Sequence, residues 1–120
     1  MARLLFHIVT GPENPTRVAL GLLVARTALS EGNEVDVFFA GDAVSVLRPE
    51  TLDAGQGIGL GGFREHVDAL ADGGARFFVS GLSSKARGLT VEGLGGLPAT
   101  MVAPTRLVEL ILEADRVVTY

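Results

Sequence analysis

The stretch Phe77-Phe78-Val79-Ser80-Gly81-Leu82-Ser83-Ser84-Lys85-Ala86-Arg87-Gly88 decides how this chain is read. Three apolar residues suited to a strand run into a serine, a glycine and small polar residues, with two cations behind them. This is the profile of a buried strand handing its last residue to the start of a helix, the place where open α/β sheets bind ligands. What such a turn can do depends on the side chain at its head. Ser80 offers a hydroxyl, which is a poor nucleophile without a base beside it, whereas a thiol would need no base.

Outward from this stretch, strand and helix patterns alternate in both directions. Leu4 to Val9 is a near-continuous apolar run, as expected of a parallel strand covered on both faces. Thr10-Gly11-Pro12-Glu13-Asn14-Pro15 comes next as a turn, with Asn14 placed to cap a helix and Pro15 at its first position. Val18, Leu22, Ala25 and Leu29 then form one helical stripe that stops at Gly32. Glu34 to Phe39 reads as a second strand and Ala40-Gly41-Asp42 as the turn after it. Ala75 to Val79 is the third strand, and Ser83 to Gly88 a short helical turn. A glycine-rich connection from Thr90 to Pro98 leads to a fourth strand, Thr100 to Ala103. Pro104 to Ala114 is a helix with Leu107, Ile111 and Ala114 on one face, and Arg116 to Tyr120 closes the chain as a fifth strand. Strands alternating with helices at crossover lengths predict a single α/β domain over residues 1–120, with a five-stranded parallel sheet between two helical layers.

Residues 43–62 are the least regular part. Ala43 to Leu47 suits one helical turn, and Pro49 breaks it. Gly55, Gly57, Gly59, Gly61 and Gly62 punctuate the remainder, and the whole segment reads as a mobile loop or flap. Beyond it Phe63, Val67, Leu70 and Ala71 make a helical stripe ending at Gly73-Gly74, with Arg64-Glu65-His66 as its solvated polar side.

Composition removes several classes of function. The 120 residues contain no cysteine, which excludes disulfides, thiolate metal sites and any thiol mechanism within this chain. A net charge of −4 is the wrong sign for a general nucleic-acid surface. The chain is apolar, 48% hydrophobic with a mean hydropathy of +0.39. Even so, no run approaches the ~18 residues that span a bilayer. Met1 to Val9 reads as a first strand rather than a signal peptide, which makes the expected location cytoplasmic and the membrane an unexpected partner. So many apolar residues in a small domain point to a well-filled core or to a buried interface between copies.

The motifs that carry chemistry are few. Gly57-Ile58-Gly59-Leu60-Gly61-Gly62 has the G-x-G-x-x-G spacing, but it lies after the second strand, whereas a dinucleotide fingerprint belongs in the first strand-to-helix turn. No phosphate-binding P-loop and no G-x-S-x-G is present, and Ser83, Ser84 and Lys85 do not form S-x-x-K. His7 lies within the first strand and reads as a buried, neutral, hydrogen-bonded imidazole. The histidines and carboxylates show no metal-ligand spacing, and neither a metal nor a cofactor is expected. The best candidate site is where the turns after the strands gather at one sheet edge: Gly11 and Asn14, then Gly41 and Asp42, then Ser80, Gly81, Ser83, Ser84, Lys85 and Arg87. Ser83 or Ser84 is placed to cap the short helix, and Lys85 and Arg87 would favour a small anion there. The competing reading is a hydrolase or transferase using Ser80 or Ser83 with His7 as base.

The ordered set Thr10 to Pro15, Val35 to Val44, Phe78 to Leu89 and Ala114 to Tyr120 resembles the DsrE/DsrF-like proteins, which include the YchN-like and TusD-like sulfur-relay subunits. The resemblance covers essentially the whole chain. It implies a three-layer α/β/α fold with a five-stranded parallel sheet, and homo-oligomers, commonly trimers or hexamers. In the sulfur-carrying members a cysteine at the end of the third strand holds a persulfide, and Ser80 stands at the matching position here. A hydroxyl cannot carry sulfane sulfur by the thiol route. The resemblance therefore supports the fold and the place of the pocket rather than persulfide transfer. The leading reading is a homo-oligomeric, non-enzymatic, cysteine-less member that binds a small ligand or a sulfur-bearing segment of a relay partner. An alternative role is a structural subunit of a hetero-oligomer whose other chain supplies the cysteine.

Overall fold

The computed structural model describes residues 1–120. Five strands, β1 (Arg3–Ile8), β2 (Glu34–Phe39), β5 (Arg76–Ser80), β6 (Ala99–Val102) and β7 (Arg116–Thr119), form one sheet in the order β6-β5-β2-β1-β7. Every neighbouring pair in it is parallel. Helices α1 (Pro15–Ser30), α2 (Pro49–Ala54), α3 (Phe63–Asp72), α4 (Gly81–Ala86) and α5 (Pro104–Glu113) connect them, and the two-residue strands β3 (Gln56–Gly57) and β4 (Gly61–Gly62) pair as a small hairpin. The predicted α/β class and five parallel strands are what the chain adopts.

The two faces of the sheet are covered very unequally, and the strand order gives the reason. The steps β1 to β2, β2 to β5 and β5 to β6 all go the same way, so right-handed crossovers place α1, α3 and α4 on one face. Alternate strand residues Phe6, Ile8, Val35, Val37, Phe39, Phe77 and Val79 point there, into a core that also takes Val18, Leu22, Val67 and Leu70 from the helices. Only the return from β6 across the whole sheet to β7 uses the other face. That face has α5 alone, with a small core of Leu5, Phe38, Phe78 and Leu110.

Local sequence explains the helix ends. Asn14 caps α1, its Oδ1 accepting from the Arg17 N–H at 3.2 Å, and Pro15 takes the first position, where its missing N–H is not needed. At the far end Gly32 adopts φ +93°, a conformation that glycine reaches without steric cost.

Residues 43–62 depart from the reading as a flap. Gly41–Leu47 forms a 3₁₀ segment, and Pro49 starts α2 at its first turn instead of ending a helix. Ala43, Val44, Val46, Leu47 and Leu52 are all buried in the main core, so apolar packing fixes the segment despite its glycines. The glycine-rich run is the β3–β4 hairpin. It lies over the start of α1, where the Ile58 N–H donates to Thr16 Oγ1 at 3.3 Å and Gly57 approaches Ala19 too closely for any side chain. The hairpin also corrects the reading of His66, which is only 2% exposed. Its Nε2 lies 2.6 Å from the Leu60 carbonyl oxygen.

Candidate functional site

The three turns expected to gather do meet at the C-terminal edge of the sheet, and their own polar groups hold them together. Gly11 packs so tightly on the second turn that a Cβ there would lie 2.5 Å from the Asp42 carbonyl oxygen. The Gly41 N–H, on a backbone with φ +59°, donates to Ser83 Oγ at 2.9 Å and joins the second turn to the third. Arg87 donates from Nη2 to Asp42 Oδ1 at 2.7 Å and from Nη1 to the Ser83 carbonyl at 3.1 Å. Arg48 adds a bond of 2.6 Å to the Arg87 carbonyl. Gly11, Gly41, Asp42, Ser83 and Arg87 thus form one connected cluster. Asn14 is occupied as the α1 cap at one side of it.

The head of the third turn differs from its expected arrangement. Ser80 itself caps α4, its Oγ accepting from the Ser83 N–H at 3.1 Å. Ser83 instead reaches across to Gly41, and Ser84 turns inward, 1% exposed, its Oγ without a partner. The reason is geometric. The helix starts at Gly81, two residues earlier than the sequence suggests, so the residue three before Ser83 is the one placed to accept its N–H.

Neither candidate nucleophile has a base. Ser80 Oγ and Ser83 Oγ both serve as acceptors for backbone N–H groups, and no imidazole or carboxylate takes a proton from either. His7 shares the sheet face of Ser80 by strand alternation, but β2 lies between them, a separation of roughly 10 Å for two strand spacings. Phe38 fills that gap, with its ring edge-on to His7 at 5.8 Å between centroids. The His7 Nε2 is buried and makes no hydrogen bond, unlike the satisfied imidazole expected there. Desolvation by burial lowers its pKa from the ordinary 6.5, favouring the neutral ring.

Beside Ser80, on the side of β6, a groove of about 360 Å³ opens between the start of α4 and the turn into α5. Gly81, Leu82 and Lys85 form one wall, and Met101, Val102, Ala103 and Pro104 the other. Sequence reading named Gly81 and Lys85 but missed the second wall, because β6 becomes a neighbour of β5 only through the sheet order.

A second feature was missed at the opposite, N-terminal edge of the sheet. Asp36 is fully buried and takes Arg76 in a two-pronged contact at 2.6 and 2.7 Å, with Arg3 at 3.2 Å. Its hydrogen bonds to the Asp36 carboxylate raise the Arg76 pKa above its ordinary value. A charge between Val35 and Val37, inside the apolar run of β2, was the available signal. The cluster ties β1, β2 and β5 together, and such a paired charge becomes costly once a partner is removed. No group of three or more histidine, aspartate or glutamate side chains is arranged to hold a metal ion.

The comparisons with known proteins agree with this fold. The family model of the DsrE/DsrF-like family matches residues 3–120. The chain belongs to the DsrE/DsrF-like family. Among solved structures it is similar to the YchN protein of E. coli, with a TM-score of 0.78 at 17% identity over 100% of both chains. It is also similar to MTH1491 of Methanobacterium thermoautotrophicum, a protein of unknown function, with a TM-score of 0.80 at 19% identity over 100% of both. A third similar structure is BT1422 of Bacteroides thetaiotaomicron, also of unknown function, with a TM-score of 0.74 at 11% identity, covering 99% of this chain and 95% of the other. At these identities the likeness is one of fold. No curated protein gives a significant match. No helix is long and apolar enough to cross a membrane.

Proposed function

We propose that this DsrE/DsrF-like chain is a cytoplasmic, self-associating binding protein of the sulfur-metabolism type. In this reading the turn Ser80 to Arg87 takes up a small ligand, or a sulfur-bearing segment of a partner protein, through non-covalent contacts. One observation carries it: the strand-end residue is a serine whose Oγ is engaged as a helix cap, with no base within reach. The family's presenting turn is kept while its nucleophile is absent. Self-association is supported by the thinly covered sheet face, where Val108, Ile111 and Leu112 of α5 and Val117 of β7 are exposed.

Native mass spectrometry of the purified chain, with NMR titration of its backbone amides by thiosulfate and by glutathione, tests the reading. A defined homo-oligomer whose Ser80–Arg87 amides move with either compound is the expected result. A monomer with an unmoved turn overturns it. So does hydrolysis of a p-nitrophenyl ester that Ser80→Ala abolishes, which would restore the serine-enzyme reading. A stable homo-oligomer weighs against a purely structural role beside a cysteine-bearing chain.

A further inference from the structure

Of the two cations on the turn Ser80 to Arg87, one is consumed and one is free. Arg87 is neutralised by Asp42 at 2.7 Å and also spent on the Ser83 carbonyl. Arg106, on the helix beyond the groove, is paired with Glu109 and Glu113. Lys85, the only lysine of the chain, makes no ion pair and lines the groove beside Ser80. The remaining walls offer Leu82, Met101, Val102 and Pro104, so a single positive charge stands at the rim of an apolar trough.

From this arrangement we infer that the groove between α4 and the β6–α5 turn binds a small organic monoanion with a short apolar body, such as an aliphatic carboxylate or thiolate. Its charge pairs with Lys85 while its chain lies against Leu82, Met101 and Val102. This inference rests on the binding reading above and narrows it to a ligand class and one side of the turn. Charge matching excludes the alternatives. A phosphate or other polyanion needs several donors, and the nearby guanidiniums are engaged elsewhere, Arg87 with Asp42 and Arg48 with the Arg87 carbonyl. A neutral apolar ligand would leave Lys85 unused. The other side of the turn is closed, since Gly41, Asp42, Ser83 and Arg87 bond to one another.

NMR titration of the 120-residue chain with hexanoate, hexanol and inorganic phosphate tests the inference. Hexanoate is expected to move the amides of Gly81, Leu82, Lys85 and Val102. Lys85→Gln should weaken it about two- to fivefold, the range for one exposed charge pair, while leaving the weaker hexanol binding unchanged. Phosphate should leave those amides in place. Equal hexanoate binding by the Lys85→Gln variant overturns the inference, as does phosphate binding in the groove. If thiosulfate or glutathione moves the Ser80–Arg87 amides and hexanoate does not, the ligand class is wrong and the binding reading stands. If no probe moves them, both fall.

Discussion

At the scale of single residues, two polar side chains on the thinly covered face show how burial overrides what a residue type suggests. His7 sits in β1 with an unpartnered Nε2, and desolvation lowers its pKa below the ordinary 6.5. The unfolded chain therefore binds a proton at His7 near pH 6.5, whereas the folded chain does so only at lower pH. Stability is fully present above pH 6.5 and falls as the pH drops through that value toward the folded pKa. Urea unfolding at pH 7 and pH 5 should show a larger loss for the native chain than for His7→Gln, and equal losses would refute this. Asp36 makes the complementary case, a fully buried carboxylate that meets two guanidinium partners. Ser80 was readable as the residue presented at the strand end. Its engagement as a cap was not, because that depends on α4 beginning at Gly81.

At the scale of elements, strong apolar periodicity was read correctly and glycine-rich sequence was not. β1, β2 and β5 stand where their apolar runs predict, and α1 and α3 match their stripes. The error lay at Gly55 to Gly62, where glycine suggested freedom but in fact allows close approach. Gly57 has no room for a methyl group, since a Cβ would sit 2.6 Å from that of Ala19 on α1. Gly57→Ala should push the β3–β4 hairpin off α1 and cost about 1–3 kcal/mol, as for other overpacked sites. Chemical denaturation gives the magnitude. Faster amide exchange at Ile58 and Phe63, whose N–H groups bond to Thr16 Oγ1 and the Gly55 carbonyl, would locate it in the hairpin. A variant as stable as the native chain would show that α1 yields at no cost.

At the scale of the whole molecule, the decisive feature is the unequal covering of the two sheet faces. α5 buries Leu110 completely but leaves Val108, Ile111 and Leu112 exposed, with Leu112 at 79%. If copies of the chain cover this face, Leu112→Asp should lower the oligomer mass measured by light scattering without changing the circular dichroism of the fold. An unchanged mass would move the interface elsewhere. The sequence alone determined the fold class, the chain order of the five sheet strands, the family likeness and the absence of a thiol at Ser80, because these rest on local periodicity and residue chemistry. Only the tertiary structure decided which cations remain free and which wall faces Ser80. Pairs such as Arg87 with Asp42, Lys85 beside Val102, and Asp36 with Arg76 lie far apart along the chain. They become neighbours only when the sheet order β6-β5-β2-β1-β7 brings their strands together.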